Sequence, residues 1–177
     1  MSSARPVPDG LPVSRRRLLI GAAAVGVLAG CGGARPAASA APSTTSPATF
    51  QVTHTDAEWH RLLNAEQYQV LRQAGTESPF TSPLNDEHRT GVFSCAGCAL
   101  DLFSSATKFD SGTGWPSFWK ALDNAVLEQP DHSLGMDRTE VLCRRCGGHL
   151  GHVFDDGPAP TGLRYCMNGV ALTFRST

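Results

Sequence analysis

The sequence predicts a mainly β fold: a mostly antiparallel domain with two short helices at its N-terminal side and four cysteines spaced to hold a metal. Three observations carry that prediction. Capped helical patterns occur only before residue 75. From Gly91 onward, short apolar and β-branched runs alternate with Gly, Pro, Asn and Asp, the pattern of strands broken by turns. Two Cys-x-x-Cys units, Cys95 with Cys98 and Cys143 with Cys146, lie among those runs. The 177 residues, 41% hydrophobic and 18% charged, suffice for one packed domain. They are too apolar for a disordered chain and too interrupted for several membrane spans. A net charge of −1 excludes a strongly basic nucleic-acid binder.

Residues 1–30 read as an address rather than as structure. Arg15, Arg16 and Arg17 lead into an apolar stretch over 18–29, about 12 residues against the roughly 20 that a stable span needs. The pattern resembles a bacterial twin-arginine export signal. Leu28, Ala29 and Gly30 before Cys31 resemble a lipoprotein cleavage box. That resemblance implies cleavage before Cys31, lipidation of Cys31 and anchoring at the outer face of the cytoplasmic membrane. An uncleaved N-terminal anchor helix is the alternative. Loss of 1–30 removes four arginines and one aspartate and moves the formal charge from −1 to −4. Residues 31–49 are almost all Gly, Ala, Pro, Ser and Thr, cannot bury a core, and form a flexible tether. The folded domain is expected over 50–177.

Within it, Thr55 and Asp56 cap a short helix over 57–63. Asn64 caps a second over 65–74, Asn64 and Gln67 have capping-box spacing, and Gly75 is the expected stop. Residues 78–89, with two prolines, read as loop. Strands are expected at 91–94, 100–103, 126–128, 140–142, 149–154 and 163–174.

Two residues between thiolates let both sulfurs face one tetrahedral ion, and Gly97 and Gly147 are placed to relieve the tight turns. Two such knuckles make a closed structural zinc site with no position open to substrate. Two disulfides or a redox dithiol are the rivals. The βαβ pattern that accompanies a redox Cys-x-x-Cys is missing, although the 44 residues between the knuckles exceed the usual ribbon spacing. Export of an already folded protein fits a metal loaded before the thiols meet an oxidising compartment.

Cys166 is the thiol left over. In a strand Arg164, Cys166 and Asn168 share one face, while Leu163, Tyr165 and Met167 form the core face. Arg164 would favour the thiolate, the nucleophilic form. An inert buried cysteine is the equal alternative on local sequence. His149 and His152 would face opposite ways in a strict strand, but Gly151 allows a bulge that turns both to one side. The stretch 108–119 is a glycine-rich loop, and Trp115 before Pro116 is either a cover for the core edge or one wall of an apolar pocket.

Cys95-x-x-Cys98, Lys108-Phe-Asp-Ser-Gly-Thr-Gly-Trp-Pro-Ser-Phe118, Cys143-x-x-Cys146, Gly148-His-Leu-Gly-His-Val-Phe154 and Gly162-Leu-Arg-Tyr-Cys-Met-Asn168 together resemble the B-type methionine sulfoxide reductases, which act on the R epimer. The resemblance spans nearly the whole folded domain. It implies two small antiparallel sheets of the β-tent, Mss4-like kind, with helices at the N-terminal side and a four-cysteine zinc site. It implies that Cys166 attacks the sulfoxide sulfur and becomes a sulfenic acid. His149 and His152 would polarise or protonate the departing oxygen, Asn168 would orient substrate or water, and Arg164 would hold the thiolate. Trp115, with Phe154 beside it, would receive the ε-methyl group.

Two positions depart from the family. Thr113 stands where many members carry a resolving cysteine, which implies direct reduction by an external thiol, thioredoxin-like or small. Gly169 stands where serine is usual, which puts a supporting hydrogen bond in doubt. Two other functions compete: a zinc-tied β module that binds without turnover, and a thiol peroxidase or redox sensor acting through Cys166. A binding module has no need of a reactive thiol beside two histidines, and a peroxidase has none of Trp115. No heptad or long edge-strand pattern argues for an oligomer, so a monomer is expected.

Overall fold

The structure, a computed structural model, describes residues 49–177. The paired arginines and Cys31 lie outside the described residues. Helix α1 (Asp56–Leu62) starts at a capping box in which Thr55 accepts the Glu58 N–H at 3.3 Å and donates its own N–H to the Glu58 carboxylate at 2.8 Å. Helix α2 (Ala65–Gln73) repeats the device with Asn64 and Gln67, at 2.8 and 3.2 Å. The left-handed terminal residue is Ala74 (φ 53°), not Gly75, whose N–H closes the end on the Gln69 carbonyl at 3.0 Å.

Nine strands follow: β1 (Gly91–Cys95), β2 (Asp101–Ser104), β3 (Lys108–Phe109), β4 (Ser117–Phe118), β5 (Val126–Asp131), β6 (Arg138–Cys143), β7 (His149–Phe154), β8 (Arg164–Met167) and β9 (Leu172–Ser176). They form two antiparallel sheets, three strands in the order β2-β1-β9 and six in the order β3-β4-β8-β7-β6-β5. This is the two-sheet, two-helix architecture expected. The core lies between the sheets. Phe93 and Phe103 of the smaller sheet meet Phe118 of the larger at ring-centroid distances of 5.0 and 4.4 Å, and Phe103 reaches Tyr165 at 5.7 Å. Burying one such ring stabilises the domain by about 1.5–3 kcal/mol.

Three strand expectations change. The run 163–174 is two strands in different sheets, divided by a single 3₁₀ turn over Gly169–Ala171. The turn forms because a carboxylate from elsewhere, Glu77, takes the N–H groups of Gly169 and Val170 that a continuous strand would offer to a neighbour. The glycine-rich stretch contributes the two-residue strands β3 and β4, too short for a periodic signal. Strand β5 runs on through Pro130, which is tolerated because β5 is the edge of its sheet. A 3₁₀ turn at Pro83–Asp86 interrupts the loop expected over 78–89. No helix among the described residues is long and apolar enough to cross a membrane.

Candidate active site

The strand ends β1 and β6 deliver Cys95 and Cys143, and the turns after them deliver Cys98 and Cys146. The four Sγ atoms lie within 4.8 Å of one another. Cys95 and Cys146 are 3.7 Å apart, and Cys98 and Cys143 are 3.5 Å apart. A tetrahedron with metal–sulfur bonds of about 2.3 Å has edges of about 3.8 Å, whereas a disulfide needs about 2.05 Å. The donors fit a tetrahedral metal and are not disulfides. The turn glycines divide differently from expectation. Gly147 does take a positive φ of 69°, but in the first knuckle that conformation falls to Ala99 (φ 56°). A side chain at Gly97 would meet only ordinary contacts, the nearest with Leu71 at 3.5 Å. Helix α2 closes the cluster: Arg72 donates to the Cys146 carbonyl at 3.1 Å and stacks over Trp59.

The fifth thiol sits elsewhere, at the centre of the six-stranded sheet. Cys166 pairs with Ser117 on one side and His152 on the other, and His152 pairs with Glu140. Directly opposed residues share a face, so Ser117, Cys166, His152 and Glu140 form one row across β4, β8, β7 and β6. The thiol opens into a cavity of about 120 Å³ lined by Thr76, Trp115, Arg138, His152, Phe154 and Asn168, with Gly151 at its floor. Trp115, Phe154, His152 and Asn168 thus line one cavity with Cys166.

The extra residue that brings the histidines together is Leu150: Val141 pairs with Gly151 and Leu142 with His149, one residue too few on β6. A side chain at Gly151 would strike the Cys166 carbonyl and stand 3.0 Å from the Met167 Cα, so glycine lets β7 lie close against the nucleophile's strand. The imidazoles end 5.4 Å apart, edge to face. His149 Nδ1 lies 2.6 Å from the Glu140 carboxylate, and His152 Nε2 lies 2.8 Å from that of Asp131. A carboxylate only accepts, so each of these nitrogens carries the proton. His149 Nε2 is left buried without a partner, and His149 stands behind His152 rather than in the cavity wall. Burial lowers the His152 pKa, against the Asp131 hydrogen bond.

Arg164 is engaged elsewhere than expected. Its guanidinium takes both oxygens of Asp156, at 2.8 and 2.9 Å, and lies 4.3 Å from the Phe154 ring centroid. It supports the aromatic wall and also favours the anionic form of Cys166. Burial pushes the Cys166 thiol up; the Thr113 hydroxyl, Arg164 and the Ser117 hydroxyl draw it back without overcoming that. Arg164 thus acts in the direction expected, toward the thiolate, but burial outweighs it.

Glu77 is the residue that sequence reasoning missed. Its N–H donates to Asn168 Oδ1 at 2.9 Å, its carbonyl accepts Trp115 Nε1–H at 3.1 Å, and its carboxylate takes the Gly169 and Val170 N–H groups. The other side of Asn168 donates to the Leu150 carbonyl at 3.1 Å. One segment thus fixes both the indole and the amide. No motif marks Glu77, which lies 91 residues before Asn168. Burial raises its carboxyl pKa. Asp131, Glu140 and Asp156, which orient His152, His149 and Arg164, were likewise visible only as acids on strand ends and loops.

A β domain pinned by four clustered thiols, with a fifth recessed among aromatics and imidazoles, belongs to the metal-knuckle proteins built for chemistry at one cysteine. More narrowly, the family model described as the SelR domain matches residues 63–176, and the chain belongs to that family. It is 58% identical over 121 residues to a protein of Thiobacillus denitrificans, covering 68% of this chain and 92% of that one. It is 52% identical over 127 residues to one of Leptospira interrogans, covering 71% and 97%, and 56% identical over 128 residues to one of Leifsonia xyli, covering 71% and 92%. Each is named peptide methionine sulfoxide reductase MsrB.

Proposed function

We propose that this chain reduces methionine-(R)-sulfoxide in proteins to methionine, with Cys166 as the nucleophile. The observation that carries the reading is the convergence of Trp115, Phe154, His152 and Asn168 on Cys166 in a cavity of about 120 Å³. The Trp115 indole, held by Glu77, takes the ε-methyl group against Phe154. The Cys166 sulfur attacks the sulfoxide sulfur, the substrate's S–O bond breaks, and the oxygen ends on Sγ as a sulfenic acid. Sulfoxide sulfur gains two electrons and Cys166 loses two. The oxygen needs a proton, and the thiol must lose one, so the net exchange with solvent is zero. His152 stands beside Cys166 in the sheet row and lines the cavity, and His149 holds an unpartnered ring nitrogen. Asn168, with its oxygen committed to Glu77, has an N–H to spare for the substrate oxygen.

The four-cysteine cluster holds zinc. The metal closes a long loop and ties the two sheets together, a structural part in which Cys95, Cys98, Cys143 and Cys146 supply all four donors. Residues 1–30 direct twin-arginine export, 31–49 serve as the tether, and lipidation of Cys31 anchors the catalytic domain, 50–177, outside the cytoplasmic membrane. An external thiol, thioredoxin-like or small, returns Cys166 to the thiol, because the nearest side chain in the family's resolving position is the Thr113 hydroxyl.

The test uses the full chain with dithiothreitol and racemic N-blocked methionine sulfoxide, each epimer followed by chiral chromatography. Loss of the R epimer alone, abolished by Cys166→Ser, is the expected result. Consumption of neither epimer by a folded, metal-loaded sample would sink the catalytic reading in favour of a binding module.

A further inference from the structure

Thr113 does more than mark a missing thiol. Three hydroxyls of the glycine-rich loop form a chain that ends at the nucleophile. Ser117 Oγ donates to the Trp115 carbonyl at 3.1 Å. Ser111 Oγ lies 2.8 Å from Ser117 Oγ, and with the Ser117 proton already placed it is Ser111 that donates. Ser111 Oγ in turn lies 2.8 Å from Thr113 Oγ1 and accepts the Thr113 N–H at 3.4 Å. With the Ser111 proton spent on Ser117, Thr113 Oγ1 donates to Ser111 while Cys166 is a neutral thiol, and Cys166 Sγ, 3.8 Å away, is the other acceptor within reach of that same proton. An anion outcompetes a neutral oxygen for that proton.

Resting on the reading of Cys166 as nucleophile, we propose that Thr113 is a further catalytic residue. Its hydroxyl donates to Cys166 Sγ as the thiolate forms, and to the sulfenic oxygen afterwards, holding the oxidised cysteine until an external thiol arrives. The recycling step balances without any other group. A thiol attacks Sγ, an S–S bond forms, the S–O bond breaks, and the oxygen leaves as water with the thiol's proton. A second thiol then releases the disulfide of the reductant and restores the Cys166 thiol. A hydroxyl cannot form the internal disulfide a cysteine would, but it can keep the sulfenic acid in one orientation, away from a second oxidation.

The experiment compares the full-length wild type with Thr113→Val, which keeps the shape and removes the donor, and Thr113→Ser, which keeps the donor. Iodoacetamide alkylation of Cys166 is followed across pH by mass spectrometry of the 165–175 peptide. The sulfenic acid left after one turnover of methionine sulfoxide without reductant is then challenged with hydrogen peroxide, and sulfinic acid at Cys166 is counted. Arg164 on the same strand, and His152 and Arg138 lining the cavity, are the titratable groups around Sγ and stay untouched in every variant. Expected for Thr113→Val is alkylation about tenfold slower at pH 7, unchanged at high pH, with several-fold more sulfinic acid. Thr113→Ser stays within about twofold of wild type. A packing role alone would not move the alkylation profile at neutral pH while sparing the high-pH limit. Wild-type behaviour of Thr113→Val in both arms overturns the proposal, and Thr113→Ala is read the same way if the valine variant does not fold. A wild-type chain that carries no oxygen on Cys166 after turnover sinks the reading beneath and this proposal with it. Oxidised Cys166 with no effect of Thr113→Val sinks the proposal alone.

Discussion

Gly169 looks like a defect against its family and behaves as a fitted part. A Cβ built there falls inside the Ser82 hydroxyl, stands 2.6 Å from the Ser82 Cβ and 3.2 Å from Glu77 Oε1. Ser82 is buried, and its hydroxyl caps the following 3₁₀ turn by accepting the Leu84 N–H at 3.2 Å. The space for a side chain at 169 is therefore already filled from the other loop. Gly169→Ser forces two heavy atoms into it. Overpacking of this kind costs about 1–3 kcal/mol, and at roughly 3–5 °C per kcal/mol for a domain of this size the melting midpoint falls by about 3–15 °C. Ser82 is displaced first, and the strain passes to Glu77, whose carboxylate binds the Gly169 and Val170 N–H groups and whose backbone holds Asn168 and the Trp115 indole. Sulfoxide reduction should fall roughly ten- to a hundredfold in kcat/KM, the usual result of moving a positioning group by about an ångström. Ser82→Gly alone loses only a cap hydroxyl, a few tenths of a kcal/mol. In that background Gly169→Ser has room and costs under about 0.5 kcal/mol, so the double-mutant cycle returns a coupling of about 0.5–3 kcal/mol. Thermal unfolding of the four proteins and their steady-state kinetics measure both quantities. An equal cost for Gly169→Ser with and without Ser82 would refute the packing argument.

Two further outcomes follow from the site. Modifying the thiols of the native chain with a mercurial, in the presence of a chromophoric zinc indicator, should release one zinc per chain and abolish cooperative unfolding. The binding energy of such a site, about 10–16 kcal/mol in zinc-finger peptides, matches or exceeds the 5–15 kcal/mol that holds an ordinary domain together; an intact melting transition after complete release would show the cluster to be dispensable. Glu140 has a depressed carboxyl pKa, chiefly through the His149 hydrogen bond, so its contribution to stability is present above its ordinary value of 4.5 and is lost as pH falls through the lower folded value. Glu140→Gln should therefore lower the melting midpoint at pH 7 and flatten its decline on the acid side, and an unchanged slope below pH 4.5 would contradict the pairing.

What could be read from the sequence was local. The caps of both helices, the knuckles, the shared face of Arg164, Cys166 and Asn168, and the bulge between the histidines depend on residues within a few positions of one another. What could not be read was settled across the chain. Ala74 takes a left-handed conformation next to an available glycine because the helix end is fixed by its bond to Gln69. The strand expected over 163–174 breaks because Glu77, far off in sequence, competes for its N–H groups. Arg164 is shared between the thiol and Asp156, an acid that the sequence places nearby without saying which cation it meets.

The burial of Cys166, which favours the neutral thiol, then bears on the reaction. Sulfoxide reduction needs an electron pair at sulfur and a proton at oxygen, and a neutral thiol carries both. A standing thiolate would supply the pair but leave the proton to be found elsewhere, in a cavity where burial already lowers the His152 pKa. Holding the thiol neutral and surrounding it with partners that favour its anion at close range couples the two requirements: the proton leaves Sγ as the sulfoxide oxygen arrives to take it. The sheet row enforces this, because His152 and Ser117 flank Cys166 in register on either side. Glu77 fixes the remaining coordinate by setting Trp115 and Asn168 from a single segment, so that the methyl group and the oxygen of a bound sulfoxide are each assigned a side. Epimer selection and proton transfer are in this sense one geometric condition, which is why a change at Gly169, remote from the sulfur itself, is expected to reach the chemistry.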